Sequence, residues 1–304
     1  MKTLNLENRK MLPAALCSLF LVWTACSGEA VINGPEEGEI PVTVQAEISN
    51  LPNDTRTDNV AEDLANVYDR SRFVEGDVIL VTRTYSGNND NNIANYKLGS
   101  NGRWSIQGSL GLRIGATYQA TFPTNYNGIE WNQSTTANYL KSNLLKTPDI
   151  SSSTGELQFT GANAFVHQNT KITLVFTGAA TGSATGNVLS GTFSDFTVSG
   201  EGLYSGKATQ ETMYFYRPAG TATWCGIVYP KNQKGTNVAS TAISLSLIYE
   251  NVNYKTEISC PMVAGQHYRY NLKIQNNILV PDGMEIEGWL KGDETTGNFD
   301  PTTT

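Results

Sequence analysis

The chain has 304 residues, of which 39% are apolar and 16% charged, with a formal net charge of −7 and a pI near 5.0. That apolar share can build a core and excludes wholesale disorder. The acidic balance excludes a basic nucleic-acid footprint. There are only two histidines, His167 and His267, which leaves most metal-hydrolase and His-based catalytic schemes without their residues. The polar remainder is rich in Thr, Asn, Ser and Gly, the composition of many short strands joined by tight turns.

Residues 1–25 read as an export signal. Lys2, Arg9 and Lys10 precede the apolar run Met11–Ala25, which is shorter than the about 20 apolar residues a membrane-spanning helix needs. The run ends on Thr24-Ala25-Cys26-Ser27-Gly28, small residues around a cysteine, as in bacterial lipoprotein signals. Cys26 is therefore the expected lipid-attachment site and the first mature residue; an ordinary signal peptide with an incidental cysteine is the bland alternative. Trp23 departs from the aliphatic residue usual there. Loss of residues 1–25 leaves 18 basic against 27 acidic side chains, a surface that repels anionic membranes.

Residues 26–39 form an acidic, Pro/Gly-marked tether. From Ile40 the pattern alternates: Ile40, Val42, Val44, Ala46 and Ile48 against Pro41, Thr43, Gln45, Glu47 and Ser49, a strand with one buried face. Leu51–Asn59 is turn chemistry carrying Arg56, and residues 60–72 have room for a short helix. Strands are predicted at Asp77–Thr84, at Tyr96–Leu98 and Arg103–Ile106 around an Asn101-Gly102 turn, and at Thr117–Phe122 up to Pro123. Residues 124–150 read as irregular with a helical turn within 134–145. After Thr160, strands are predicted at 171–176, 192–198, 212–216, 223–229, 242–249, 254–259, 267–275 and 284–287. A division near 160 gives two β-rich halves, 40–160 and 161–304.

No catalytic motif emerges. Gly200-Glu201-Gly202-Leu203-Tyr204-Ser205-Gly206-Lys207-Ala208 departs from both dinucleotide and P-loop spacing, and it lies between strands with no helix to present N–H groups. His167 and His267 lack partners at ligand spacing and read as hydrogen-bonded structural residues. Asp282, Glu285, Glu287, Asp293 and Glu294 read as a solvated acidic face. Cys225 and Cys260 share the apolar parity of their strands, so they are buried thiols or a bridge; the thiol reading is preferred. Trp104, Trp131, Trp224 and Trp289 could stack on sugars, but core packing is the default use of strand aromatics. No cofactor is expected.

Several landmarks taken in order resemble the fimbrillin family of lipoprotein pilins and adhesins. They are Thr55-Arg56; Phe73-Val74-Glu75-Gly76-Asp77-Val78-Ile79; Tyr96 followed by Gly102-Arg103-Trp104; Tyr118–Pro123; Phe165-Val166-His167 with the Lys171 strand; Ala264–Leu272; and Ile286-Glu287-Gly288-Trp289. The resemblance implies an all-β fold of two transthyretin-like Greek-key β-sandwich domains in tandem. It implies a non-enzymatic subunit of surface fimbriae acting in adhesion and biofilm formation, carried to the outer membrane as a lipoprotein. An Arg-specific protease would remove the first strand, here after Arg56, and a strand of another subunit would fill the groove. Arg70 and Arg72, beside Val67, Tyr68 and Phe73, are expected to be packed and less accessible. The implied partners are other pilin subunits, outer-membrane lipid through Cys26, and a host or bacterial surface ligand, with no nucleic acid. The alternative is a surface glycan-binding lipoprotein that never polymerises, marked by an exposed aromatic platform.

Overall fold

The computed structural model describes residues 40–49, 72–85, 92–178, 189, 191–233 and 238–287. In chain order the strands are β1 Thr43–Ala46, β2 Val78–Thr84, β3 Asn92–Leu98, β4 Trp104–Gln107 and β5 Thr117–Phe122. Helix α1 Thr136–Ser142 and the short strands β6 Leu145–Lys146, β7 Glu156–Phe159 and β8 Val166–His167 follow. The remainder is β9 Thr170–Gly178, β10 Phe193–Glu201, β11 Gln210–Met213, β12 Thr223–Val228, β13 Thr241–Tyr249, β14 Val252–Cys260, β15 His267–Gln275 and β16 Ile278–Glu287. The described body is all-β apart from α1 and a 3-10 turn at Gly161–Asn163.

The first layer pair is a six-stranded sheet, β4-β3-β2-β5-β6-β8, and a two-stranded sheet, β1-β7. Period-two alternation explains the inner face: Ile79 and Val81 of β2, Ala94 and Tyr96 of β3, and Tyr118 and Ala120 of β5 all point into one core. Arg83 continues that inward parity and is buried, its guanidinium donating to the Gly111 carbonyl at 2.7 Å. The β3–β4 turn forms at the predicted dipeptide, with Gly102 at φ +73 and its N–H bonded to Gly99 O. Cys-free packing of Val42, Val44, Ile48, Leu157, Phe159 and Phe165 supplies the opposite wall.

A second core lies between the sheets β11-β10-β13-β14 and β12-β9-β15-β16. Val198, Ile243, Leu245, Leu247 and Ile258 come from the first of these sheets; Ile172, Leu174, Phe176, Trp224, Tyr268 and Leu272 come from the second. β15 pairs parallel with β9 and antiparallel with β16. Two tight turns, Glu250-Asn251 and Asn276-Asn277, have positive φ at both central residues. That geometry matches the twist of the strands they join.

Three sequence expectations need correction. Residues 124–150 are more ordered than expected: α1 seats Tyr139 against Cys225 and Ile227 in a third small apolar cluster. The last strand begins at Ile278, not 284, because the Asn276-Asn277 turn returns the chain at once to the sheet edge. Strands β6, β7 and β8 are absent from the sequence reading. Phe165 belongs to the first core and β8 to the first sheet.

Candidate functional site: the first strand and its groove

The strand read at 40–49 is present and lies between two walls of backbone. On one side it runs parallel to β7, with Thr43 facing Glu156, Val44 facing Leu157 and Ala46 facing Phe159, and it continues to an Ile48–Phe165 bridge. On the other, Val42 N–H donates to Leu110 O at 3.0 Å and Leu112 N–H donates to Ile40 O at 2.8 Å. Val42, Val44 and Ile48 are buried and Ala46 is half-buried, while Thr43, Gln45 and Glu47 are exposed. Gly155, at φ +86, lets the groove wall come close: a β-carbon there would lie 3.2 Å from Ile40 Cγ2 and Pro41 O.

Two side-chain bonds fasten the strand as well. The Tyr96 hydroxyl, inside the core, donates to Val42 O at 2.9 Å. Near the other end Glu47 Oε1 accepts from the Gly161 N–H at 2.6 Å. Burial of the Tyr96 ring, with Tyr118 nearby, raises its hydroxyl well above the ordinary tyrosine range, so it stays a donor.

The connection that follows has both ends at one place. Ser49 N–H donates to Phe165 O, and Phe165 N–H donates to Glu47 O. The chain returns at Phe73, whose ring packs edge-on against Phe165 at 5.1 Å, Trp104 at 5.2 Å and Phe122 at 5.4 Å. Arg56 lies outside the described residues, as do Cys26 and Trp289. Arg72 does not fit the expectation of packing: Phe73 takes the partly buried position and Arg72 is exposed.

The other candidate residues have structural surroundings. His167 Nδ1–H donates to Asn143 Oδ1 at 2.8 Å, and His267 Nε2 shares a hydrogen bond of 2.8 Å with Thr173 Oγ1; both rings are buried. Burial, then the nearby Lys171 ammonium, hold the His167 imidazole well below the ordinary histidine range. Cys225 and Cys260 are buried free thiols, and burial pushes Cys260 up to about 11. Among the described residues no group of three or more His, Cys, Asp or Glu could hold a metal ion.

The glycine-rich loop has its own occupant. Tyr204 and Ser205 N–H donate to Glu211 Oε2 at 2.8 and 3.2 Å, and the Ser205 hydroxyl donates to Oε1. Burial raises the Glu211 carboxyl, but the Ser205 and Tyr204 bonds and Lys231 outweigh it and leave it below its ordinary value. A small anion-binding nest exists there, and the chain's own carboxylate fills it.

Of the tryptophans, Trp224 is buried among Phe176, Phe193 and Phe196, and Trp104 is partly buried against Phe73. Trp131 departs from the core reading: it lies outside the named strands, is 51% exposed, and meets the exposed Tyr214 edge-to-face at 5.8 Å. Sequence spacing carried no signal for Tyr96 as a fastening residue or for the Glu47–Gly161 bond. Nor did it show Gln133, which is fully buried, donating to Ile227 O at 2.7 Å and accepting from Ile227 N–H at 2.8 Å.

Residues 66–289 match the sequence model of the fimbrillin-like family. No curated protein matches the chain. Among solved structures, a candidate cell adhesion protein of Bacteroides uniformis is similar with a TM-score of 0.56 at 13% identity, covering 84% of this chain and 100% of that one. One of Bacteroides ovatus gives 0.55 at 18% identity, covering 84% and 99%. At these identities the likeness is one of fold. The tip fimbrial protein Mfa3 of Porphyromonas gingivalis gives 0.41 at 11% identity over 82% of this chain and 98% of that one.

Proposed function

The chain belongs to the fimbrillin-like family, and from that premise we propose that it is a structural and adhesive subunit of cell-surface fimbriae, assembled by replacement of its first strand. The observation that carries this reading is the seating of residues 40–49. They fill a groove between β7 and Leu110–Leu112, and their link to the rest of the body, residues 50–71, starts and ends at Phe165. A single cut in that link separates the strand from the body it stabilises. Burial of Val42, Val44 and Ile48 is worth roughly 5–9 kcal/mol at about 1.5–3 each, an upper bound comparable to a domain's net stability. An emptied groove would be an unpaired apolar edge, receptive to another strand.

In this reading Cys26 bears the lipid that holds the precursor at the outer membrane, residues 26–39 are the tether, and Arg56 is the processing site. The two halves, 40–160 and 161–304, act as tandem domains. The exposed Arg72 is the rival cleavage point. Limited trypsin treatment followed by sequencing of the new N-terminus tests the assignment: a start at Thr57, then SDS-resistant oligomers that Arg56→Ala prevents. Cys26→Ala is expected to release the protein from the membrane fraction; retention with detergent partitioning would remove the lipid assignment.

One observation favours the glycan-binding alternative. Trp131 and Tyr214 present exposed, mutually oriented rings on a rigid mount, with Tyr214 N–H bonded to Trp131 O at 3.0 Å and Gln133 N–H to Tyr214 O at 2.8 Å. Glycan-array binding that Trp131→Ala abolishes, by a protein that stays monomeric after protease treatment, would select it.

A further inference from the structure

The groove restrains its occupant by more than apolar fit. A backbone ladder is blind to sequence, and alternating aliphatic residues fit equally well after a two-residue slip, because the side-chain period is two. The Glu47 contact lacks that periodicity, whereas the Tyr96 contact, made to a main-chain carbonyl, keeps it and senses only a slip by one residue. The Tyr96 hydroxyl addresses one carbonyl, at residue 42. The Gly161 N–H addresses one carboxylate, five positions further on. Gly161 opens the 3-10 turn directly after β7, so this second contact is fixed to the wall that the strand runs along.

Resting on the strand-replacement reading, we infer that the groove clamps its incoming strand at two points, of which the Gly161 N–H sets the register. The partner it fits is an extended segment of a second subunit running parallel to β7. That segment carries aliphatic residues at the positions of Val42, Val44 and Ile48, a small residue at that of Ala46, and Asp or Glu at that of Glu47. Tyr96 is the groove's own latch. It grips main chain and so serves any donor in the correct register, whereas the Gly161 N–H selects for an acidic side chain. A strand slipped by two residues keeps most of its apolar fit and its Tyr96 bond but loses the carboxylate contact and crowds the Ala46 position.

The test uses the full chain nicked by trypsin within residues 50–71 and a fluorescent peptide copying Ile40–Ser49, with peptide release measured by competition. The copy peptide is expected to enter wild-type protein and to leave Tyr96→Phe about tenfold faster, the scale of one buried hydrogen bond. A Glu47→Ala peptide is expected to leave wild type faster by a smaller factor, about two- to threefold, because that contact is exposed, and a peptide of reversed sequence to stay out. A peptide with a thioamide at residue 42, a poor acceptor, should release at the same rate from wild type and Tyr96→Phe, the coupling a latch requires and a packing role lacks. Equal release of all forward peptides from both proteins would overturn the two-point clamp while leaving strand replacement standing. Entry of no peptide at all would remove both.

Discussion

His167 shows what one buried polar side chain does to the molecule. Its Nδ1–H is bonded to Asn143, and burial first, then Lys171, hold its pKa well below 6.5 in the folded chain. The unfolded chain takes up a proton near pH 6.5 and the folded chain resists it, so the unfolded state binds more protons below that pH. Stability is therefore full above about pH 6.5 and falls as the pH drops toward the lower folded value, by up to about 1.4 kcal/mol per pH unit for one group. Urea denaturation at pH 7.5 and 5.0 checks this: His167→Gln should lose less stability between the two than wild type, and an identical loss would contradict it. Glu211 slopes the same way by a different route. Its folded pKa is lowered by the Ser205 and Tyr204 bonds against the opposing effect of burial, so its contribution is present above the ordinary carboxylate range and is lost as pH falls through the folded value.

At the scale of elements, the segment between β5 and β7 matters more than its composition suggests. α1 is capped by Thr135, whose side chain accepts from Asn138 N–H at 3.3 Å, and it packs Tyr139 on the outer side of β12. Just before it, Gln133 offers Ile227 both an acceptor and a donor, as a neighbouring strand would. Gln133→Leu would leave both backbone groups of Ile227 buried without partners, a loss of about 2–5 kcal/mol. Equilibrium unfolding should show it; a change within about 0.5 kcal/mol, ordinary for a surface site, would mean that water or a shifted backbone replaces the amide.

The same elements show what the sequence made legible. β2, β5 and β15 were readable because each alternates over six or more residues against one apolar face, and β9, buried on both faces from Thr170 to Leu174, because it is a short β-branched and apolar run. β6 and β8 have two residues apiece and β7 four, too short for a period to register. β16 was half-hidden by Pro281 and Gly283, both tolerated because the strand lies at a sheet edge. In the candidate site the strand itself was legible for the same reason as β2. Its fastenings were not: Tyr96 and Val42 are 54 positions apart, and Glu47 and Gly161 are 114. Contacts of that separation leave no local pattern.

At the scale of the whole molecule, two principal cores are built differently. The second is closed by its own strands with one addition, Ile129 from the β5–α1 segment, and β9 is central between β12 and β15. The first depends on residues 42–48, a segment whose only onward covalent path to that core runs through residues 50–71. The asymmetry is that the first core takes one wall from a terminal strand, which the proposed function makes replaceable, while the second is walled by β9–β16. The most direct measurement is size-exclusion chromatography of the chain before and after limited trypsin treatment, with N-terminal sequencing of the product and Arg56→Ala alongside. The expected result is a monomer that, once cut at Arg56, gives a product starting at Thr57 and converts to SDS-resistant oligomers, while Arg56→Ala stays monomeric. A product cut at Arg56 that remains a stable monomer would contradict the account.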